Sequence, residues 1–475
     1  MITIKHFQKN ARLFKSTTGF FLLLVIICSL SLQKVKAQSE IKEKLDGLLN
    51  GFPQKAPGGV VAVMENNHVL YSGSYGYANL EWNISNGMDI KYRIGSLTKT
   101  FTAIAILQLE EEKKLTLQDK VKTWLPDLDI DERITISHLL SHTSGIQANK
   151  EDLEFLPGER MNYSNYGYIL LGQIISKCSG ISYDEFIKEH IFKPLGMNDS
   201  GYEHSNSIIS RKASGYRFVQ SGVIPAPYID MEGPGAAGGL YSTADDLILF
   251  EKALSGNSVI NKSLLEKAFT PNKLNSGQES TYGFGWMVRN YKGWRKVSHG
   301  GDIEGFNCYF AHFPDYSRSV IVLQNVKMQL GAPWAEAGKL VNIIVDFLWE
   351  NELQKEVQNA TGIKVSEERL NQLTGVYELE NAPAEMIAIM GSKLTVTTEG
   401  GVLYVQDKST RGPVIAISEN EFAFQGIDIK LQFNSDEGKR ATEMICKLMG
   451  VREIKARLIP LIVLYKTSSL YGNPK

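Results

Sequence analysis

The sequence predicts an α+β fold: an antiparallel sheet flanked by helices with a helical insertion, followed by a small all-β domain. Three observations predict it. Strand-like stretches stand at both ends of the first 350 or so residues with helix-like stretches between them, no charged or Ser/Gly-rich linker interrupts that region, and beyond it the pattern changes to short runs of period two.

The elements follow in chain order. Residues 1–37 carry a basic start (Lys5, Lys9, Arg12, Lys15), an apolar run from Phe20 to Leu32 and then Val35-Lys36-Ala37 before Gln38. Thirteen apolar residues are too few to span a bilayer, which needs about 20. A basic region, a short apolar region and an A-x-A-like end describe a secretory signal peptide, so a secreted or periplasmic protein is expected; an uncleaved anchor is the other reading. Gly59 to Met64 and His68 to Tyr71, joined by Asn66-Asn67, read as an antiparallel hairpin. Thr100 to Glu112 carries the apolar stripe of a helix, with Phe101, Ile104, Ala105, Leu107 and Leu109 on one side. Cys308 to Phe313 and Ser319 to Gln324 flank Pro314-Asp315-Tyr316 as a second hairpin. Past residue 350, the runs from Gly375, Lys393, Val402, Glu421 and Ile429 are separated by turn chemistry such as Glu399-Gly400-Gly401, and predict a small barrel or sandwich.

Composition narrows the function. With 43% hydrophobic and 22% charged residues the 475-residue chain is ordinary globular material, which excludes collagen-like, disordered, coiled-coil and multi-span membrane classes. Residues 1–37 hold six Lys/Arg and no Asp/Glu, so the remainder has a net charge of −7 and no electrostatic case for nucleic acid or an anionic membrane. Beyond residue 37 the cysteines are Cys178, Cys308 and Cys446, far apart and odd in number, so one disulfide at most can form there. There is no C-x-x-C or H-E-x-x-H, and neither a metal nor another cofactor is expected. Gly233 to Gly238 fits G-x-G-x-x-G, but the prolines at 225, 227 and 234 break the strand and stiffen the loop that a dinucleotide site requires.

Three short motifs carry chemistry in their contexts. Ser96-Leu97-Thr98-Lys99 is one of three S-x-x-K matches, and it alone opens an apolar helix, which brings Lys99 within reach of the Ser96 hydroxyl on the same face. A serine hydroxyl is a poor nucleophile until a neighbour takes its proton, and a desolvated lysine can do so. Tyr163-Ser164-Asn165 is the one Y-x-N between a turn and an apolar helical run. Beside a lysine ammonium Tyr163 is expected to ionise more easily and act as general base, with Asn165 binding the lysine and a substrate amide. His299-Gly300-Gly301, the only H-x-G, follows a strand-like stretch. Its glycines allow close approach of a substrate backbone, and the next amide can donate to an oxyanion.

The order Ser-x-x-Lys, Tyr-x-Asn, His-x-Gly resembles the serine β-lactamase / penicillin-binding-protein superfamily, in its class C-like branch of D-alanyl-D-alanine carboxypeptidases, D-aminopeptidases and esterases. Ile134 to Gly145, Phe192 to Met197 and Ala237 to Leu247 are similar to other stretches of that family. The resemblance implies a β-lactamase/transpeptidase-like fold and a serine hydrolase acting on an ester, amide or peptide bond through an acyl-enzyme. The alternatives are a D-alanyl-D-alanine carboxypeptidase or β-lactamase, and a non-catalytic penicillin-recognising sensor. It implies Ser96 as nucleophile, Lys99 and Tyr163 sharing its proton, Asn165 orienting substrate, and the N–H groups of Ser96 and Asp302 as oxyanion donors. His299, Gly300, Gly301 and Asp302 are thus expected to bind substrate, His299 standing where penicillin-processing relatives carry a lysine. His138 and His142 fall in a structural segment. The expected organisation is a signal peptide over 1–37, the β-lactamase-like domain over 38–350, a helical linker over 351–366, the β-rich domain over 367–458 and a tail over 459–475.

Overall fold

The structure, a computed structural model, describes residues 38–459 except 149–151, 257, 329–335, 360–362, 384–386, 388–390, 409–410, 425–428, 436–438 and 449–451. The expected signal peptide and nearly all of the tail lie outside the described residues. Two compact units make up the chain. The first runs to Trp286 and resumes over Ser298–His312 and Tyr316–Leu348; the second comprises Met287–Val297, Phe313–Asp315 and the residues from Trp349 on.

The mixed α and β architecture expected from the sequence is present. Its main sheet has six strands in the order Met287–Tyr291, Trp294–Ile303, Phe306–Phe313, Arg318–Gln324, Gly59–Glu65, His68–Tyr75. The first and last parts of the region therefore meet in the middle of the sheet, where Gly59–Glu65 pairs antiparallel with Arg318–Gln324 in the register Val60↔Leu323 and Ala62↔Ile321. Both strands are buried on both faces, which accounts for their unbroken apolar runs Val60–Met64 and Val320–Leu323. The N-terminal hairpin turns through Asn66 (φ 50°) and Asn67 (φ 66°). Positive φ at both central positions is what a two-residue turn matching the strand twist demands, and asparagine tolerates it.

Helix Thr98–Glu111 departs from the single stripe read from the sequence. It is buried on every side from Thr98 to Leu107, so it is a central rather than a flanking helix. Its threonines survive there because they are satisfied: Thr100 donates to Leu97 O at 2.8 Å and Thr102 to Ala236 O at 2.7 Å. Helix Asn165–Ser179 begins on Ser164, whose side chain accepts from Gly167 N, and ends at Gly180 in the left-handed region (φ 78°). It packs so closely on the short turn Gly235–Ala237 that a Cβ on Gly172 would lie 2.5 Å from that of Ala236.

In the second unit, eight strands close into a barrel, from Gly375–Glu380 round to Arg452–Leu458, which pairs back onto the first strand through Tyr377↔Leu458. Five of these strands match the sequence runs; Arg411–Ala416, Glu443–Leu448 and Arg452–Leu458 are further ones. Alternate residues such as Leu394, Val396, Leu403, Val405, Phe422, Leu431 and Phe433 are buried in one core, with Leu370 and Leu373 of helix Glu367–Leu373 packed into the same cluster. Cys178, Cys308 and Cys446 are all free thiols. Among the described residues no helix is long and apolar enough to cross a membrane.

Candidate active site

All eight residues singled out in the three motifs lie in the first unit, and the geometry groups them around one side chain. Gly95 sits at φ +49° in a short 3₁₀ turn, Gly95–Leu97, that runs straight into helix Thr98–Glu111. A Cβ on Gly95 would meet the backbone N of Asp302 at 3.1 Å, so the turn needs glycine both for its φ and for this approach. Lys99, the second residue of that helix and one turn on from Ser96, is fully buried, and its Nζ lies 3.1 Å from Ser96 Oγ. Its other partners are Asn165 Oδ1 at 2.8 Å and Ala237 O at 2.7 Å. A hydroxyl, an amide oxygen and a carbonyl oxygen supply no counter-charge. Burial accordingly pulls the lysine from its ordinary 10.5 down to about 7.

Tyr163 hydrogen-bonds Ser96 through its hydroxyl. The sequence expectation is that the lysine helps this tyrosine to ionise; burial of the tyrosine acts in the opposite direction. Lys99 Nζ stands 4.9 Å from the centre of the Tyr163 ring. The lysine thus makes a cation–π contact with the neutral phenol, and burial pushes the tyrosine up to about 12. The group poised near neutral pH is Lys99, and Tyr163 stays protonated.

Strand Trp294–Ile303 brings up the last motif. His299 is buried, with Nε2 2.9 Å from the Tyr282 hydroxyl and Nδ1 2.6 Å from Gly300 O. Burial, with the charge of Lys99 close by, depresses it to about 3, so it is a neutral imidazole. The two glycines differ. A Cβ on Gly301 would fall 1.9 Å from Ile94 O and 2.5 Å from Cys308 Sγ, so Gly301 is demanded by the packing of this strand against the segment leading to Ser96. A Cβ on Gly300 would meet the Tyr309 ring at 3.2 Å and Cys308 O at an ordinary 3.7 Å. The backbone N of Asp302 arrives beside the Gly95 turn, while its carboxylate pairs with Lys327 at 2.6 Å. Glu304 accepts from Arg217 Nε at 2.8 Å. Two acidic residues beside this strand are therefore each matched by a cation.

Sequence reasoning missed four contributors. Ala237 supplies a carbonyl from within a stretch noted only for its similarity. Tyr168 and Tyr282 stand in none of the three motifs, yet the Tyr168 ring lies 5.6 Å from Lys99 Nζ and Tyr282 holds His299. The fourth is His142, whose ring packs tilted against that of Tyr163 with centres 4.2 Å apart. His138, by contrast, forms a capping box with Thr135. Among the described residues no group of three His, Cys, Asp or Glu side chains could hold a metal ion.

Known proteins resemble the chain in sequence and in fold. The family model described as Beta-lactamase matches residues 41–340. Penicillin-binding protein 4* of Bacillus subtilis (strain 168) is 30% identical over 420 residues, which cover 80% of this chain and 90% of that protein. The octameric penicillin-binding protein homologue from Pyrococcus abyssi superposes with a TM-score of 0.54 at 25% identity, over 89% of this chain and 100% of its own. The D-stereospecific amidohydrolase from Streptomyces sp. does so with a TM-score of 0.52 at 25% identity, over 66% and 98%.

Proposed function

The chain belongs to the Beta-lactamase family and is a serine hydrolase, and on that premise we propose that it cleaves an ester or amide bond of a neutral or amine-bearing, peptide-like substrate through an acyl-enzyme on Ser96. One observation carries the assignment: the buried Lys99 Nζ, without a counter-charge, 3.1 Å from a half-buried serine hydroxyl.

Near neutral pH about half of Lys99 is the free amine, given its value of about 7. In that form it takes the Ser96 proton while Oγ attacks the substrate carbonyl carbon. The resulting oxyanion is received by the N–H groups of Ser96 and Asp302, which the Gly95 turn and the Gly301 packing bring together. Tyr163, protonated and bonded to Ser96, passes a proton on to the departing alcohol or amine and is replenished from the Lys99 ammonium. Asn165, tied to Lys99 and exposed on its outer side, orients the acyl part of the substrate. Water then attacks the ester on Ser96 by the same route in reverse.

The substrate class rests on His299. A carboxylate-bearing substrate meets a neutral imidazole at that position, and the cations nearby are already paired, Lys327 with Asp302 and Arg217 with Glu304. The likeness to a D-stereospecific amidohydrolase supports an amide of a D-amino acid among the candidates. The amino-terminal pattern of residues 1–37 supports export before the protein acts. A hydrolysis panel of p-nitrophenyl esters, D-amino-acid amides and nitrocefin tests the reading. Turnover of the first two with an adduct on the Ser96 peptide supports it, and unchanged turnover by Ser96→Ala refutes it.

A further inference from the structure

We propose that His142 is a positioning residue for Tyr163, clamping the tyrosine and the backbone on both sides of it so that the hydroxyl stays on Ser96; this rests on the roles given above to Ser96, Lys99 and Tyr163. Tyr163 stands in an exposed stretch just before helix Asn165–Ser179 and is itself 38% exposed. A tyrosine so placed has freedom to swing into solvent, and ordering it has an entropic cost. His142 meets that need at three points. Asn162 N–H donates to its carbonyl oxygen at 2.8 Å, Ser164 N–H donates to its Nδ1 at 3.1 Å, and its ring packs tilted against the Tyr163 ring at 4.2 Å with 38° between planes. Residues 162, 163 and 164 are thus all held by one side chain and its own backbone.

The clamp is rigid because His142 is itself fixed. Only 1% of it is exposed, and its ring is also packed on Tyr168 (5.0 Å) and edge-on to Tyr282 (4.6 Å), the tyrosine that holds His299. The Ser164 bond makes Nδ1 an acceptor, so the neutral ring carries its proton on Nε2, which is buried without a hydrogen-bond partner among the described residues. Burial, then the nearby Lys99 and His299, keep His142 well below its ordinary 6.5, so the tautomer does not change over the pH range in which Lys99 titrates. Its backbone lies at φ +58°, a region that asparagine also adopts readily and phenylalanine does not. The position therefore asks for three things together: left-handed backbone, an acceptor two bonds from Cβ, and a flat ring. Histidine supplies all three. Asparagine supplies the first two, and phenylalanine only the ring.

The test uses the full chain with His142→Asn and His142→Phe, each alone and combined with Tyr163→Phe, assayed on p-nitrophenyl acetate with melting temperature recorded for every variant. Loosening a reacting group by about 1 Å costs on the order of 10²-fold in rate. The expected result is a fall in kcat of roughly 10- to 100-fold for His142→Asn, with KM within about threefold. In the Tyr163→Phe background the same substitution should change kcat by less than about threefold, because the hydroxyl it positions is gone. His142→Phe should fall further than His142→Asn through loss of the Ser164 bond. A His142→Asn chain that keeps full kcat overturns the proposal, as does an equal fold-loss with and without the Tyr163 hydroxyl, the mark of a merely structural role. If His142→Phe does not fold, the asparagine series decides alone. Failure of the catalytic reading itself would show separately, as activity surviving Ser96→Ala.

Discussion

The pH dependence of acylation separates two proton acceptors that the sequence leaves indistinguishable. With Lys99 at about 7, the free amine is about 9% of the population at pH 6, half at pH 7 and about 91% at pH 8. kcat/KM for a p-nitrophenyl ester reports the free enzyme, so it should climb about tenfold from pH 6 to pH 8 and then level off. If Tyr163, pushed up to about 12, were the acceptor instead, kcat/KM would keep rising about tenfold per pH unit through pH 10. A profile without an inflection near 7 refutes the assignment of Lys99. Stability offers a second readout of the same cause. The folded lysine lies below its ordinary 10.5, so the fold disfavours the ammonium: the penalty is fully present below about pH 7 and is relieved as pH rises from there to 10.5. At 1.4 kcal/mol per tenfold its full size is about 5 kcal/mol. Lys99→Met removes it, at a pH-independent cost of about 1–3 kcal/mol for each acceptor it orphans, Asn165 Oδ1 and Ala237 O. The stability of Lys99→Met relative to the parent should therefore be greatest at pH 6 and shrink toward pH 10. A difference that does not vary with pH would mean that Lys99 is an ordinary ammonium.

Ser96→Ala should abolish ester hydrolysis and eliminate the adduct that a fluorophosphonate leaves on the Ser96 peptide, read by mass spectrometry. Tyr163→Phe should lose roughly 10²–10⁴-fold in kcat with KM little changed, and a loss confined to KM would make it a binding residue. Gly301→Ala should lower activity by about 100-fold or more because its Cβ has no room beside Ile94 O, whereas Gly300→Ala, facing a ring at 3.2 Å, should stay within about tenfold of the parent; equal effects would contradict the packing account. Nitrocefin should be turned over with a lower kcat/KM than short-chain esters, and the reverse order would refute the argument from a neutral His299.

The parts of the fold that were legible in the sequence are those in which local pattern and tertiary burial agree. Asn66-Asn67 between apolar runs announces its turn because both residues must take positive φ, and the turn then fixes the pairing of the strands it joins. Helix Thr98–Glu111 was found, but its environment was not. Three threonines and a lysine make its periodicity read as amphipathic, and only the tertiary structure shows that turn Gly235–Ala237 accepts from Thr102 and that Asn165, at the start of helix Asn165–Ser179, accepts from Lys99. Three barrel strands escaped notice for a related reason. Arg411–Ala416, with a glycine and a proline, and Arg452–Leu458, with three basic residues, have weak strand signals, and the closed ladder supplies the pairing that their composition does not advertise.

The chemistry of the site shows the same division between what spacing fixes and what burial fixes. Spacing places Lys99 one turn from Ser96, and this holds whatever surrounds the helix. Which of Lys99 and Tyr163 holds the proton depends instead on where the charge finds partners, and no local pattern records that the ammonium faces the Tyr163 ring and an uncharged carbonyl from residue 237. The same holds for the carboxylates of Asp302 and Glu304. In the sequence they stand beside His299 as two negative charges at the site, but Lys327 and Arg217, supplied from elsewhere in the chain, neutralise them. The proposed preference against anionic substrates therefore does not rest on acidic repulsion at this strand. In the proposed reading it rests on the neutral imidazole at position 299, and replacing that imidazole with lysine is the substitution that most directly adds the missing attraction.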